Sequence, residues 1–158
     1  MLVRKLDIEE LEKLGTVKRY KDIEETVAWN KLFIARGLLD IYGAFNNAGV
    51  LVGKLHIAYA YIPDVCASPL VLRNRRAYIW AFLIHPNFRN QGIGNQMLQL
   101  VIEDLTKKGY TEATVGVAFD NDRARHLYEK YGFTTFIGRE SYVDGHETIV
   151  YDLLLRRA

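Results

Sequence analysis

Arg89, Gly92 and Gly94 stand at fixed spacing between an apolar run and the start of an amphipathic pattern, and their types suit the binding of an anion. The run before them, Ala77-Tyr78-Ile79-Trp80-Ala81-Phe82-Leu83-Ile84, is aromatic and β-branched without a charge, so it reads as a strand buried on both faces. Pro86 ends its ladder. After Gly94 the residues Met97, Val101 and Leu105, joined by Leu98, Leu100 and Ile102, recur at helical spacing, and Gly109 closes the helix. A strand, a glycine-bearing loop and a helix in that order leave amide N–H groups without intrahelical acceptors. The helix dipole adds about half a positive charge at the same point, so a phosphate or pyrophosphate is the natural occupant. The expected cradle is Arg89 with the amides of Asn90, Gln91, Gly92, Ile93, Gly94 and Asn95.

Two common phosphate loops do not fit this stretch. A P-loop places Gly-Lys-Ser/Thr five residues after its first Gly, where Met97 stands here, and the third Gly of G-x-G-x-x-G would also fall on Met97. A second chemical element lies downstream. Thr111 to Val117 alternates like a short strand, and Asn121 suits a helix N-cap. Ala124, Leu127, Tyr128 and Tyr131 then share a helical face up to Gly132. Asn121 and Tyr128 are two turns apart, so both are expected to face one cleft.

Arg89-x-x-Gly92-x-Gly94 resembles the acetyl-CoA signature Q/R-x-x-G-x-G/A of the N-acetyltransferase superfamily known as GNAT, and the Asn121 to Phe133 string resembles that family's N-x-x-A-x-x-L-Y-x-x-x-G-F element. The resemblance implies an α/β (α+β) GNAT fold: a mixed, twisted sheet of about seven strands with helices on both faces. It implies that the strands ending at Ile84 and near Val117 splay apart and admit the pantetheine arm of acetyl-CoA beside Phe82, Leu83 and Ile84. It further implies direct transfer of the acetyl group to a primary amine of a small molecule or peptide, through a tetrahedral oxyanion held by an amide near Leu83 or Ile84. Tyr128 resembles the family's general acid, which protonates the departing thiolate, and Asn121 its coenzyme contact. The base is open: family members often carry a Glu on the strand before the loop, yet Tyr78 to Ile84 holds no carboxylate, which leaves His85, His56 or a water chain. That gap keeps a catalytically weak acyl-CoA-binding regulatory module of the same fold as the alternative.

The elements that position these residues follow from punctuation. Leu2 to Leu6 forms a short strand; Asp7 and Glu10 begin a helix that buries Ile8, Leu11 and Leu14; Asp22 and Glu25 begin another, running past Trp29, Phe33 and Ile34 to Gly37. Core packing is the expected role of Trp29 and Phe33, and Trp29, His56 and Tyr78 make up the acceptor-side candidates. Leu38 to Phe45 and Val50 to Tyr61 form a hairpin around Asn46 to Gly49, with Lys54 and His56 on one face of the second strand. Residues 62–76, with Pro63, Pro69 and Arg73 to Arg76, are irregular and form a candidate substrate lid, whose arginines suit an anionic group. Phe133 to Tyr142 and Glu147 to Leu155, around Asp144-Gly145, close the sheet.

The 158 residues suit one domain, 1–158. A formal charge of +2 argues against a dedicated nucleic-acid partner, including an RNA-associated module built on Arg73 to Arg76. The single Cys66 allows no internal disulfide and reads as a packed thiol, and the absence of a signal-like N-terminus or a membrane-length apolar run points to the cytoplasm. His56, His85, His126 and His146 show no metal spacing, so no metal is expected. Pairing of strands into a homodimer is open.

Overall fold

The computed structural model describes residues 1–63, 65, 71–144 and 147–157. The expectations placed on Cys66, Pro69, Gly145 and His146 lie outside them. Seven strands form one sheet in the order β1-β2-β3-β4-β5-β7-β6: β1 (Leu2–Lys5), β2 (Leu39–Phe45), β3 (Leu51–Ala58), β4 (Arg76–Ile84), β5 (Glu112–Ala118), β6 (Phe133–Asp144) and β7 (Glu147–Arg157). Every neighbouring pair is antiparallel except β4 and β5, which are joined by the crossover helix α2 (Ile93–Lys107). Helices α2 and α3 (Asp122–Lys130) cover one face, where Met97, Leu98, Val101 and Tyr128 pack with Ile57, Ile79 and Val115. On the other face α1 (Ile23–Ala35) and a 3-10 helix at Ile8–Thr16 pack against Ile41, Phe45 and Tyr78. The expected mixed sheet of seven strands with helices on both faces is therefore present.

The first helical segment is a 3-10 helix and not an α-helix. Its buried residues explain this: Leu11, Leu14 and Val17 recur every third position, and a helix of three residues per turn stacks them on one side. The capping box holds, with the Asp7 amide donating to Glu10 Oε1 at 3.0 Å. Glu10 also grips Arg4 of β1 through two 2.6 Å bonds, which hold its carboxyl down at about 2. In α1, Ile23, Val27, Phe33 and Ile34 face the sheet, whereas Trp29 does not join the core; it is 36% exposed and its ring lies 4.7 Å from that of Phe33.

Two irregularities in β4 shape the site. Pairing with β5 runs only from Arg76–Glu112 to Ile79–Val115, after which β5 continues with β7 and the rest of β4 has no partner on that side. The sheet is thus split from Trp80 onward. In addition, Ala81 has φ of +51° and marks a bulge, where the β3 register skips between His56–Trp80 and Lys54–Leu83. The bulge reverses the alternation, so Trp80 and Leu83 lie on the α1 face and Phe82 and Ile84 on the α2 face. A regular strand would have kept Phe82 on the same side as Trp80.

The arginines of the 73–76 run do not serve the loop at Arg89. Arg76 Nε and Arg75 bind Glu112 at 2.6 and 3.3 Å, at the closed start of the β4–β5 pair, and Arg73 lines a separate shallow cavity with Asp40, Tyr59 and Lys108. The physical reason is length: β4 carries the chain roughly 25 Å from Arg76 to the phosphate-loop end.

Candidate active site

The loop between β4 and α2 is built as a ring of donors. His85 N–H closes the β3 ladder on the Val52 carbonyl at 2.8 Å, so the Ile84 amide, one residue earlier, points away from β3 into the split. The Ile84 carbonyl faces the same way and accepts Arg89 Nε at 3.0 Å, which folds the arginine over the end of β4. Asn90 and Gly92 have φ of +65° and +77°, a conformation that turns successive amides inward. The first helical bond of α2 runs from Gln96 N–H to the Gly92 carbonyl. Among the described residues no protein acceptor meets the amides of Asn90 to Asn95.

A cavity of about 640 Å³ opens beside these amides. It is lined by Phe82, Leu83, Ile84, Arg89, Asn90, Gly92, Ile93, Gly94, Asn95 and Asn121, which is the predicted coenzyme set without Gln91 and Tyr128. Phe88 and five α3 residues, Arg123, Ala124, His126, Leu127 and Lys130, complete the wall. Ala124 and Leu127 belong to the Asn121 to Phe133 string, whereas Arg123, His126 and Lys130 stand outside it; these three recur at helical spacing, and Arg123 and Lys130 add positive charge beside the amides. Gly94 is set by crowding, since a Cβ there would sit 3.3 Å from Leu127; Gly92 has open space and is set by its backbone angle. The Asn95 side chain is already engaged, taking Lys130 Nζ at 3.1 Å and the Tyr131 hydroxyl at 3.3 Å, so only its amide faces an incoming ligand.

Asn121 and Tyr128 do not share the cavity surface. Asn121 caps α3 by accepting the Ala124 N–H at 3.1 Å and lies at the rim. Tyr128 stands one ring behind the wall, with Phe82 at 6.4 Å and Phe133 at 5.8 Å between centroids, and is 6% exposed. Burial pushes its phenol further above the ordinary tyrosine range. Its hydroxyl meets no protein partner among the described residues. Among the described residues the sealed, unpaired side-chain atoms are Tyr20 Oη, Asn30 Oδ1 and His56 Nδ1, so the Tyr128 hydroxyl retains contact with open space. His85 caps the short turn after β4, and its Nδ1 accepts the Asn87 amide at 3.2 Å. The neutral ring then carries its proton on Nε2 and has no lone pair left to act as a base.

On the α1 face, His56 and Tyr78 meet through Trp80: the His56 ring is edge-on to Trp80 at 5.1 Å, and Tyr78 stacks parallel to Trp80 at 6.1 Å. Trp29 is not part of this group. His56 is 5% exposed and does not open onto a cleft, so it does not present a base to solvent. Its Nε2 lies 3.3 Å from the Nζ of Lys54, itself 3% exposed and pushed down to about 7 by burial and by Lys18. Burial, with the charges of Lys54 and Lys18, holds His56 well below the ordinary histidine value. A Lys within an apolar strand is the sequence signal for this pair. The sign of the stability effect follows from linkage: between about pH 7 and 10 the unfolded chain binds a proton that folded Lys54 has lost, so stability rises with pH in that window. Lys54→Met is therefore expected to raise the melting temperature at pH 7 by several degrees, with the gain shrinking toward pH 10. Calorimetric melts of both proteins across that range check it, and a lower melting temperature for the variant at pH 7 contradicts it.

The fold and the loop place the chain among acetyltransferase structures. It superposes on a ribosomal-protein-alanine N-acetyltransferase from Brucella melitensis with a TM-score of 0.77 over 100% of both chains at 17% identity. It also superposes on the PaiA N-acetyltransferase of Thermoplasma acidophilum, solved with coenzyme A, with a TM-score of 0.65 over 99% of this chain and 98% of that one at 20% identity. The acetyltransferase (GNAT) family model matches residues 5–133, and the chain belongs to that family. In sequence it is 30% identical over 77 residues to the ribosomal protein bS18-alanine N-acetyltransferase of Escherichia coli. That match covers 47% of this chain and spans about half, 52%, of the relative.

Proposed function

We propose that this chain is a one-domain, cytoplasmic N-acetyltransferase that moves an acetyl group from acetyl-CoA directly to the primary amine of a small molecule or a peptide. The observation that carries the reading is the row of six unpaired amides, Asn90 to Asn95, beside a cavity at the point where β4 leaves β5. Acetyl-CoA supplies the thioester and, in its pyrophosphate, the anion such a row accepts. Arg89, Arg123 and Lys130 add the charge that holds it.

The remaining roles follow from direction. The Ile84 N–H, free on the open edge of β4, donates to a carbonyl oxygen as negative charge builds on it; a donor of this kind is typically worth about 3 kcal/mol. Tyr128 keeps its proton at every physiological pH and delivers it to a departing thiolate through its hydroxyl, which is not among the sealed side-chain atoms. Neither His85 nor His56 is placed to take the amine proton, which leaves solvent water at the split.

The lack of a base on β4 is also the observation that favours the second reading, an acyl-CoA-binding regulatory module with little turnover. Thiol release from acetyl-CoA, followed across polyamines, aminoglycosides, amino acids and peptides beginning with alanine, decides between them. We expect amine-dependent release with at least one class. Tight coenzyme binding without release above the amine-free rate would establish the regulatory reading.

A further inference from the structure

The cavity beside the cradle carries more positive charge than a diphosphate on six amides calls for. Among the described residues its lining holds Arg89, Arg123 and Lys130 and no carboxylate. Two of these cations are tied to the cradle end. Arg89 donates through Nε to the Ile84 carbonyl at 3.0 Å, and Lys130 donates to Asn95 Oδ1 at 3.1 Å, beside the last amide of the row. Arg123 stands apart from both. It precedes Lys130 on α3 by two turns, roughly 10 Å along the axis. The other arginine of α3, Arg125, pairs with Asp152 at 2.9 Å, whereas Arg123 is exposed and makes no hydrogen bond or ion pair among the described residues. His126 follows one turn after Arg123 on the same helical face and lines the same cavity. The acidic residues of α3, Asp122 and Glu129, are not part of that lining.

A guanidinium with an imidazole one turn away, open to solvent beside a cavity without acids, suits a phosphate monoester. The planar fork meets two phosphate oxygens at once, and such a group carries about 1.5 to 2 negative charges near pH 7. Coenzyme A has one. Its adenosine ribose bears the diphosphate chain on the 5′ carbon and a phosphate monoester on the 3′ carbon. With the diphosphate on the Asn90 to Asn95 amides, the second anion is one sugar ring away, within the reach of a long side chain on the α3 wall.

We propose that Arg123, with His126 beside it, holds the 3′-phosphate of the coenzyme, in addition to the general attraction it lends the diphosphate, and so makes this protein select coenzyme A over its 3′-dephospho form. The inference rests on the coenzyme reading of the cavity for its ligand, and on the position of Arg123 for the selectivity.

Titration calorimetry with coenzyme A and with 3′-dephospho-coenzyme A reads the selectivity without turnover. Coenzyme A is expected to bind at least tenfold more tightly. Arg123→Ala should shrink that ratio to threefold or less, and Arg123→Lys, which keeps the charge and loses the fork, should retain part of it. Lys130→Ala, at the diphosphate end, should weaken both ligands alike and leave the ratio in place. Because Arg123 bonds to no described group of the fold, its variants should melt with the wild type. In the transfer assay the same ratio should appear in KM for the two acetylated forms with kcat equal, since the 3′-phosphate is bound alike before and during the reaction. Equal affinity of the wild type for the two ligands, or a ratio that survives in Arg123→Ala, overturns the inference and leaves the coenzyme reading standing. Failure to bind either ligand defeats both.

Discussion

Gly92→Glu is expected to weaken coenzyme A binding by at least 100-fold, about 2.7 kcal/mol. Two effects act together. Gly92 sits at φ of +77°, where any L side chain strains the backbone by roughly 1 kcal/mol. The new carboxylate would also stand at the start of α2, among amides that have no protein acceptor, and would occupy them as an internal anion. Gly92→Ala separates the terms, because it carries the strain without the charge and should lose only about fivefold. The position has open space around it, so both variants are expected to fold. Titration calorimetry with coenzyme A, alongside circular dichroism, reads the result; wild-type affinity in Gly92→Glu contradicts the cradle.

The second large effect concerns Tyr128→Phe. A general acid is commonly worth 100-fold or more, and kcat is expected to fall by about that factor while acetyl-CoA affinity stays nearly unchanged. The structural control is built in. The hydroxyl bonds to no described protein group, so its removal breaks no internal bond, and the melting temperature should stay level or rise slightly. A fall in turnover without a fall in stability marks a chemical role. Equal turnover in both proteins removes Tyr128 as the acid.

The order of elements was legible because its signals are local. Asp7, Asp22 and Asn121 start helices, Gly37, Gly109 and Gly132 follow their ends, and the apolar run of β4 stops at the loop. The cradle was legible for the same reason, since it depends on consecutive backbone amides. What escaped were features set by contacts between distant segments. The bulge at Ala81 swaps the faces of Phe82 and Leu83, and nothing in an alanine announces a left-handed residue. Helical spacing aimed Tyr128 at the cleft, but its ring packs against Phe82 and Phe133 and the residue, 6% exposed, is not part of the cavity lining. Lys54 and His56 were placed on one face of β3, yet their burial depends on α1 and on Tyr20, which strand alternation does not see. Trp29 shows the converse: a residue apolar enough for the core was left on the outer side of α1.

The central claim is that main-chain hydrogens of the β4–α2 loop hold the diphosphate of the coenzyme. Amide-resolved NMR during a titration with coenzyme A reports on those hydrogens one by one. The account predicts that the signals of Asn90 to Asn95 and Ile84 shift most and saturate together, with the β1–β2 amides unmoved. Saturable binding that leaves the 90–95 amides in place would contradict it.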